Sequence, residues 1–299
     1  MSELVSCGSF EKSCELSAHF NDSIHWNSSG ANCPSLVTNA FKSFSSKQHR
    51  KGSCIMAERE PKEEFRHGSF TQYYRFRSED HRPEILEECL RTLMGHFGNH
   101  ITMLDIGCNT GNLTEAVLTK IRSMTADSAR NCRMLGVDID TDLVRRATDE
   151  YRSVEGLKFI QANIYNVSMG NDNSISNYMR ETGVEQFDIV FCFSSLMYVH
   201  LNYGDYGLQE VLQYLCARAN VLVVELHSWP KYRDHVKKMR KRDGAYPKYD
   251  RLNWRGSNGK LEEYIYEYIK TLGFTITSVS SEKNEFKRDI VVFSKQISG

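Results

Sequence analysis

The sequence predicts an α/β protein built on a doubly wound, mostly parallel sheet. From about residue 61 onward, short apolar segments alternate with amphipathic helical patterns, which is typical of a parallel sheet covered by helices. Segment 187–193 (Phe-Asp-Ile-Val-Phe-Cys-Phe) is almost wholly apolar, as a strand buried on both faces should be. Ligands of such sheets bind at the carboxyl ends of the strands, so functional residues are sought there.

The individual elements follow from local patterns. Pro83 is suited to the start of a helix, and apolar residues recur behind it at helical spacing. Further helices are predicted after each of the first two strands and over 206–218 and 261–272. The last two strands are predicted to pair as a hairpin, which gives seven strands with an antiparallel element at the end. The predicted strands cover 101–106, 134–137, 157–161, 187–193, 220–226, 274–280 and 289–294.

Residues 1–60 differ from the remainder, and we predict that they are disordered. They are rich in Ser, Asn and Cys, show no sustained period and contain too little apolar surface to offset chain entropy. The catalytic domain is therefore assigned to 61–299. No metal is expected, because the cysteines and histidines of the N-terminal segment lack CxxC pairing. These residues are Cys7, Cys14, His19, His25, Cys33 and Cys54. A zinc site there is the alternative.

The cysteine content, the apolar runs and the net charge of the chain indicate its cellular location and the partners it can have. The nine cysteines are scattered and no secretory signal precedes them, which favours reduced thiols in an intracellular protein. A cytoplasmic location is expected rather than a nuclear one. No apolar run approaches the ~20 residues of a membrane span, so no membrane association is expected. The formal net charge is +0, so overall charge predicts no polyanionic partner. We expect a monomer.

The turn after the first strand carries the cofactor motif, Asp105-Ile106-Gly107-Cys108-Asn109-Thr110-Gly111. Gly107 and Gly111 allow a tight turn and a close approach of ligand to backbone. Asn109 stands where a dinucleotide-binding GxGxxG turn has its second glycine, which argues against a nicotinamide cofactor. The Asp105 carboxylate instead suits a cationic, amino-bearing ligand, and S-adenosylmethionine is such a ligand.

Two further polar residues follow neighbouring strands. Asp138 ends the second strand, where an acid can accept hydrogen bonds from ribose hydroxyls. Asn163 follows the third strand and is placed to contact an adenine edge. The alternative is that Asp105 and Asp138 only cap loops.

Three segments carry a family resemblance. They are 68–77 (Gly-Ser-Phe-Thr-Gln-Tyr-Tyr-Arg-Phe-Arg), 197–208 (Met-Tyr-Val-His-Leu-Asn-Tyr-Gly-Asp-Tyr-Gly-Leu) and 225–233 (Glu-Leu-His-Ser-Trp-Pro-Lys-Tyr-Arg). Together with the glycine turn they resemble the Bicoid-interacting-protein family of RNA methyltransferases, which includes methylphosphate capping enzymes. The resemblance covers about residues 67–295.

The resemblance implies a Rossmann-like class I methyltransferase that transfers methyl from S-adenosylmethionine to the 5′ phosphate of RNA. It implies that Arg82 and Asn109 bind the methionine moiety, that Asp138 binds the ribose and that Tyr73 faces the substrate phosphate. The short chain looks closer to the branch that acts on 5′ monophosphates of transfer RNA or microRNA precursors than to the γ-phosphate capping branch.

The sequence departs from the family pattern at two places. Ser69 replaces an asparagine, and Leu226-His227-Ser228 replaces a Pro-Gln-Pro before the tryptophan. The second departure lies beside the expected active site, so it bears on substrate choice more than on reaction type.

The reaction needs groups that hold a phosphate rather than a strong base. The second ionisation of a phosphomonoester is near ~6, so its oxygen is already anionic at neutral pH, and alignment supplies most of the acceleration. For Tyr73 the alternative is packing over the sheet, and for His200 it is a loop histidine without catalytic role. The candidates for contact with substrate are Tyr73, Arg77, His200, Asn202 and Lys231.

Residues 229–256 form a segment that we call the basic insert. It holds many more lysines and arginines than acids, and aromatic residues are interleaved among them. Basic residues neutralise phosphates and aromatic rings stack on unpaired bases, which favours RNA contact over a merely solvated helix face. Two rival functions stay open: a small-molecule methyltransferase, and an RNA-binding scaffold that has lost catalysis.

Overall fold

The computed structural model describes residues 80–125, 131–241 and 244–295, and all structural statements below concern these residues. Seven strands form one sheet in the order β3-β2-β1-β4-β5-β7-β6. Strands β1 to β5 are parallel, and β7 is antiparallel to both β5 and β6. The strands are β1 His100–Ile106, β2 Asn131–Asp138, β3 Leu157–Gln161, β4 Phe187–Phe193, β5 Ala219–Glu225, β6 Phe274–Val279 and β7 Ile290–Lys295.

Eight α-helices accompany the sheet in the described part of the chain. Pro83 lies in the first turn of α1, as predicted, and buried apolar side chains pack against both faces of the sheet. This arrangement confirms the predicted doubly wound sheet with its antiparallel final pairing. The helices are α1 Arg82–Leu90, α2 Asn112–Met124, α3 Thr141–Glu150, α4 Ile164–Ser168, α5 Ser174–Thr182, α6 Leu196–Arg218, α7 Trp229–Arg240 and α8 Lys260–Thr271.

Two stretches differ from the sequence-based expectation. The short helices α4 and α5 were not predicted: α4 has only five residues, and in α5 the helical spacing of Ile175, Tyr178 and Met179 spans little more than one turn. Helix α6 begins at Leu196 rather than at Tyr206, and it bends at Gly204, whose φ of 77° is left-handed. The glycine interrupts the helical pattern, so the sequence shows only the half that follows it.

Several expectations concern residues outside the described ranges. These expectations are the predicted disorder of residues 1–60 and the candidate substrate contacts Tyr73 and Arg77. Within the described ranges, no helix is long and apolar enough to cross a membrane. Those ranges also contain no group of three or more His, Cys, Asp or Glu side chains that could hold a metal ion.

Candidate active site

A cavity of about 520 Å³ opens at the carboxyl ends of the parallel strands, where a doubly wound sheet places its ligands. Its volume lies within the range of small-molecule and cofactor sites, roughly 300–1,000 Å³. Turns after β1 to β5 line one part of it, α6 and α7 line another, and Arg82, Leu113, Phe286 and Arg288 complete the lining. Predicted residues that line it are Arg82, Asp105, Gly107, Asn109, Asp138, Asn163, Asn202 and Lys231.

The turn after β1 depends on its two glycines in different ways. Gly107 has a φ of 84°, and a Cβ there would lie 2.8 Å from the Cβ of Ser195, so only glycine lets the turns after β1 and β4 meet. Gly111 has a φ of 82° and precedes α2, where a Cβ would lie 2.6 Å from the Phe159 ring. Gly111 is not among the residues that line the cavity, and its contact with the cofactor stays a prediction.

Asp138 joins the turns after β1 and β2. One carboxylate oxygen accepts the backbone N–H of Asn109 and the other accepts that of Asp140, each at 2.9 Å. The side chain is almost fully buried, and burial raises its pKa. Each oxygen keeps a further lone pair that can accept a hydrogen bond from a ligand.

Asp105 is a buried acid at the end of β1. One of its oxygens accepts the Thr114 hydroxyl at 2.7 Å. Burial raises the pKa of Asp105 to about 6, although the Thr114 hydrogen bond and the positive charge of Arg82 oppose the shift. A carboxylate held in this state gains most from a ligand that brings a positive charge.

Glu225 is the centre of a buried polar cluster that the sequence did not reveal. Its two oxygens accept hydrogen bonds from Arg82 Nη1 at 3.3 Å, Ser194 Oγ at 2.9 Å, Asn284 Nδ2 at 2.9 Å and Arg288 Nη1 at 3.1 Å. We call these five residues the Glu225 cluster. Its one sequence signal was a carboxylate at the end of an otherwise apolar strand.

Arg82 is held by more than Glu225. Its Nε and Nη2 atoms donate to the two carboxylate oxygens of Asp80 at 2.8 and 2.5 Å. Its guanidinium carbon lies 5.6 Å from the ring centre of Phe193 and 5.2 Å from that of Phe286. The cluster thus fixes a buried guanidinium at the edge of the cavity.

Asn163 is engaged in local structure as well as lining the cavity. Its side-chain oxygen accepts the N–H of Tyr165 at 3.0 Å and so caps α4. Its amide nitrogen donates to the Tyr203 hydroxyl at 2.7 Å, and Tyr203 stacks on Tyr165 with ring centres 3.9 Å apart. Contact of Asn163 with an adenine edge stays a prediction.

The opposite part of the cavity is lined from α6 and α7. Asn202 donates from its amide to the carbonyl oxygen of Tyr198 at 2.8 Å. Lys231 and Lys238 lie about two turns apart on α7, and both line the cavity. His227, in the loop before that helix, lines it as well. This part therefore combines two cations and the carboxylate of Asp234 with uncharged donors.

His200 does not line the cavity, which argues against the predicted contact with substrate. It is fully buried, with Nε2 2.8 Å from an oxygen of Asp205 and Nδ1 3.3 Å from the Tyr232 hydroxyl. Asp205 also accepts the backbone N–H groups of Asn253 and Trp254, at 2.7 and 3.1 Å. The histidine therefore helps to tie α6 to α7 and to the end of the basic insert.

Three buried polar atoms of cavity-lining residues have no hydrogen-bond partner within the described part of the chain. They are Ser195 Oγ, His227 Nδ1 and Arg288 Nε. Buried polar atoms in proteins are nearly always satisfied, so unpartnered ones in a cavity indicate groups that a ligand would satisfy.

Comparisons with known proteins agree with this architecture. Residues 104–221 match a family model described as a methyltransferase domain, and residues 187–295 match the Bicoid-interacting protein 3 (Bin3) model. The sheet order and the glycine turn define the chain as a Rossmann-like class I methyltransferase fold. The N-methyltransferase NodS of Bradyrhizobium japonicum, solved with S-adenosyl-L-homocysteine, is 13% identical with a TM-score of 0.44, covering 71% of this chain and 84% of that one.

Relatives that are similar in sequence identify the family to which the chain belongs. The human RNA 5′-monophosphate methyltransferase is 35% identical over 58% of this chain and 62% of its own length. The Xenopus laevis pre-miRNA 5′-monophosphate methyltransferase is 31% identical over 69% of this chain and 83% of its own length. The mouse 7SK snRNA methylphosphate capping enzyme is 23% identical over 77% of this chain and 41% of its own length. The chain belongs to the Bin3 family. It spans less than two thirds of the human relative's length.

Proposed function

We propose that the protein is an S-adenosylmethionine-dependent RNA methyltransferase that methylates the 5′-terminal monophosphate of a small structured RNA, such as a transfer RNA or a microRNA precursor. The observation that carries the proposal is a single cavity with unlike sides. Two buried acids, Asp105 and Asp138, line it at the carboxyl ends of β1 and β2, and Lys231 and Lys238 line it from α7 together with one acid, Asp234. The two buried acids suit an amino-bearing nucleoside and the lysines suit a phosphate.

The cavity-lining residues at the carboxyl ends of the strands fit S-adenosylmethionine. Asp105 is suited to the amino group and Asp138 to the ribose hydroxyls, while Arg82, Asn109 and the unpartnered Nε of Arg288 are suited to the carboxylate. Gly107 is suited to contact the ligand through its backbone, and Asn163 is assigned to the adenine side. When bound, the cofactor supplies a methyl group on a positively charged sulfur; the C–S bond breaks, its electron pair staying on sulfur, as the C–O bond forms.

The residues of α6 and α7 have a different task. A phosphate oxygen needs no proton removed at neutral pH, so these side chains need only hold the phosphate in line. We assign this task to Lys231 and Asn202, together with Tyr73 and Arg77, which lie outside the described ranges. Too many cations would weaken the attacking oxygen, which suits the mixture of charged and uncharged donors found here.

The basic insert supports RNA over a small molecule. Helix α7 carries exposed Lys237, Lys238 and Arg240, and aromatic rings lie beside it, with Trp229 stacked on Tyr249 at 5.5 Å between ring centres. A cavity bordered by exposed cations offers contacts to a phosphate backbone that extends beyond the reacting end.

The proposal is tested by methyl transfer to short RNAs of one sequence that bear a 5′ hydroxyl, monophosphate or triphosphate. We expect label on the monophosphate RNA, lost when the terminal phosphate is removed. Label confined to the triphosphate RNA would point to the γ-phosphate capping reaction. No label on any RNA despite cofactor binding would favour a small-molecule substrate, and no cofactor binding would favour the scaffold.

A further inference from the structure

His227 occupies the short loop between the end of β5 at Glu225 and the start of α7 at Trp229. The imidazole lines the cavity, and the ring of Tyr198 meets it edge-on with ring centres 6.3 Å apart. Lys231, one turn into the following helix, lines the same cavity. The histidine thus shares the cavity with Lys231, which is assigned to the phosphate, and it also lies within electrostatic reach of Arg288.

The imidazole of His227 has hydrogen-bonding capacity that the described protein does not use. Its Nδ1 atom is buried without a hydrogen-bond partner in the described ranges. His235 lines the same cavity, yet its Nε2 atom lies 2.7 Å from the hydroxyl of Tyr246. Of these two histidines, His227 is the one with a buried nitrogen, Nδ1, that a ligand could satisfy by a hydrogen bond.

The surroundings keep this imidazole uncharged. Burial, and after it the neighbouring Arg288, His235 and Lys231 side chains, hold the pKa of His227 well below its ordinary range. A neutral imidazole carries one N–H donor and one acceptor nitrogen. Such a donor can orient a phosphate oxygen without the charge neutralisation that a lysine brings.

We propose that His227 is a substrate-binding residue: its imidazole donates a hydrogen bond to a non-reacting oxygen of the terminal phosphate, beside Lys231, and thereby orients the oxygen that receives the methyl group. The inference rests on the proposed function. It also explains the sequence departure at this loop, because His227 stands where the family pattern has the glutamine of Pro-Gln-Pro. One uncharged donor replaces another of similar reach.

The test measures preference for a phosphorylated RNA end. Affinities for 5′-monophosphate and 5′-hydroxyl RNAs of one sequence are compared in the presence of S-adenosylhomocysteine, for wild type, His227→Leu and His227→Gln. We expect the preference for the phosphorylated end to fall by about tenfold or more in His227→Leu, the usual scale for losing one hydrogen bond to a charged group, and to be largely kept in His227→Gln. Affinity for S-adenosylhomocysteine should be unchanged in both.

His100→Leu is the matched control, because His100 is exposed at the amino end of β1, opposite the cavity. A purely structural His227 would lower affinity for both RNAs alike and leave their ratio unchanged, which would overturn the inference. If His227→Leu does not fold, His227→Ser replaces it, since serine is too short to reach the phosphate. Equal binding of both RNAs by the wild type would instead refute the proposed function itself.

Discussion

Replacing Glu225 with glutamine removes one negative charge from the Glu225 cluster while keeping its size. Arg82 and Arg288 both donate to this carboxylate, which is fully buried. Removing one partner of a buried ion pair costs about 3–5 kcal/mol, because a charge is left uncompensated. We expect a loss of about 3 kcal/mol in the free energy of unfolding, the low end of that range, because Asp80 still pairs with Arg82.

The loss is large enough to measure by two methods. For a domain of this size, 1 kcal/mol corresponds to roughly 2–4 °C in melting temperature, so Glu225→Gln should melt about 6–12 °C below wild type. Urea unfolding should show the same loss as a lower midpoint with an unchanged slope. The stabilisation conferred by S-adenosylhomocysteine should also shrink, because the variant leaves the guanidinium of Arg288 less firmly placed.

Glu282→Gln is the control, because Glu282 is exposed on the loop between β6 and β7. An exposed substitution of this kind changes stability by no more than about 0.5 kcal/mol. If Glu225→Gln melts within about 2 °C of wild type, the cluster is not a buried ion-pair network and the assignment of Arg82 and Arg288 to cofactor binding loses its support.

Three further predictions concern the cofactor, the RNA and the N-terminal segment. The folded pKa of Asp105, about 6, lies above its unfolded value, so the folded chain retains a proton as pH rises from about 4 to about 6 and the free energy of unfolding falls over that range. Because a bound ammonium group favours the carboxylate, affinity for S-adenosylhomocysteine in calorimetry should rise between about pH 5 and about pH 7, and Asp105→Asn, whose affinity should be flat there, is the check. Charge reversal on α7 and just beyond it should weaken RNA binding and flatten its salt dependence by about 0.7 per lost phosphate contact, whereas an equal number of reversals at Arg145, Arg152, Lys158 and Arg180 should leave the slope unchanged. The residues reversed on and after α7 are Lys237, Lys238, Arg240 and Lys241. Deleting residues 1–60 should leave methyl transfer intact, and a folded but inactive truncation would contradict the assignment of the catalytic domain to 61–299.

Local sequence patterns predicted the secondary-structure elements better than they predicted the side-chain contacts. The glycine turn was placed correctly after β1, because the left-handed backbone at Gly107 favours glycine, which is visible in the sequence. The contacts of His200 were not predicted, because its segment was expected to be a loop. In the folded chain that segment is the first half of α6, which turns the imidazole inward to Asp205 and Tyr232.

The sequence by itself determined the order of the seven strands, the acids at the ends of β1 and β2, and the concentration of positive charge in the basic insert. These properties depend on periodicity and composition within short stretches. Only the tertiary structure decided which polar groups share a site. The Glu225 cluster joins α1, the ends of β4 and β5, and the loop before β7, and the unpartnered Nδ1 of His227 is recognisable only once every neighbour is in place. Burial and hydrogen-bond satisfaction depend on groups distant in the chain, so no local pattern encodes them.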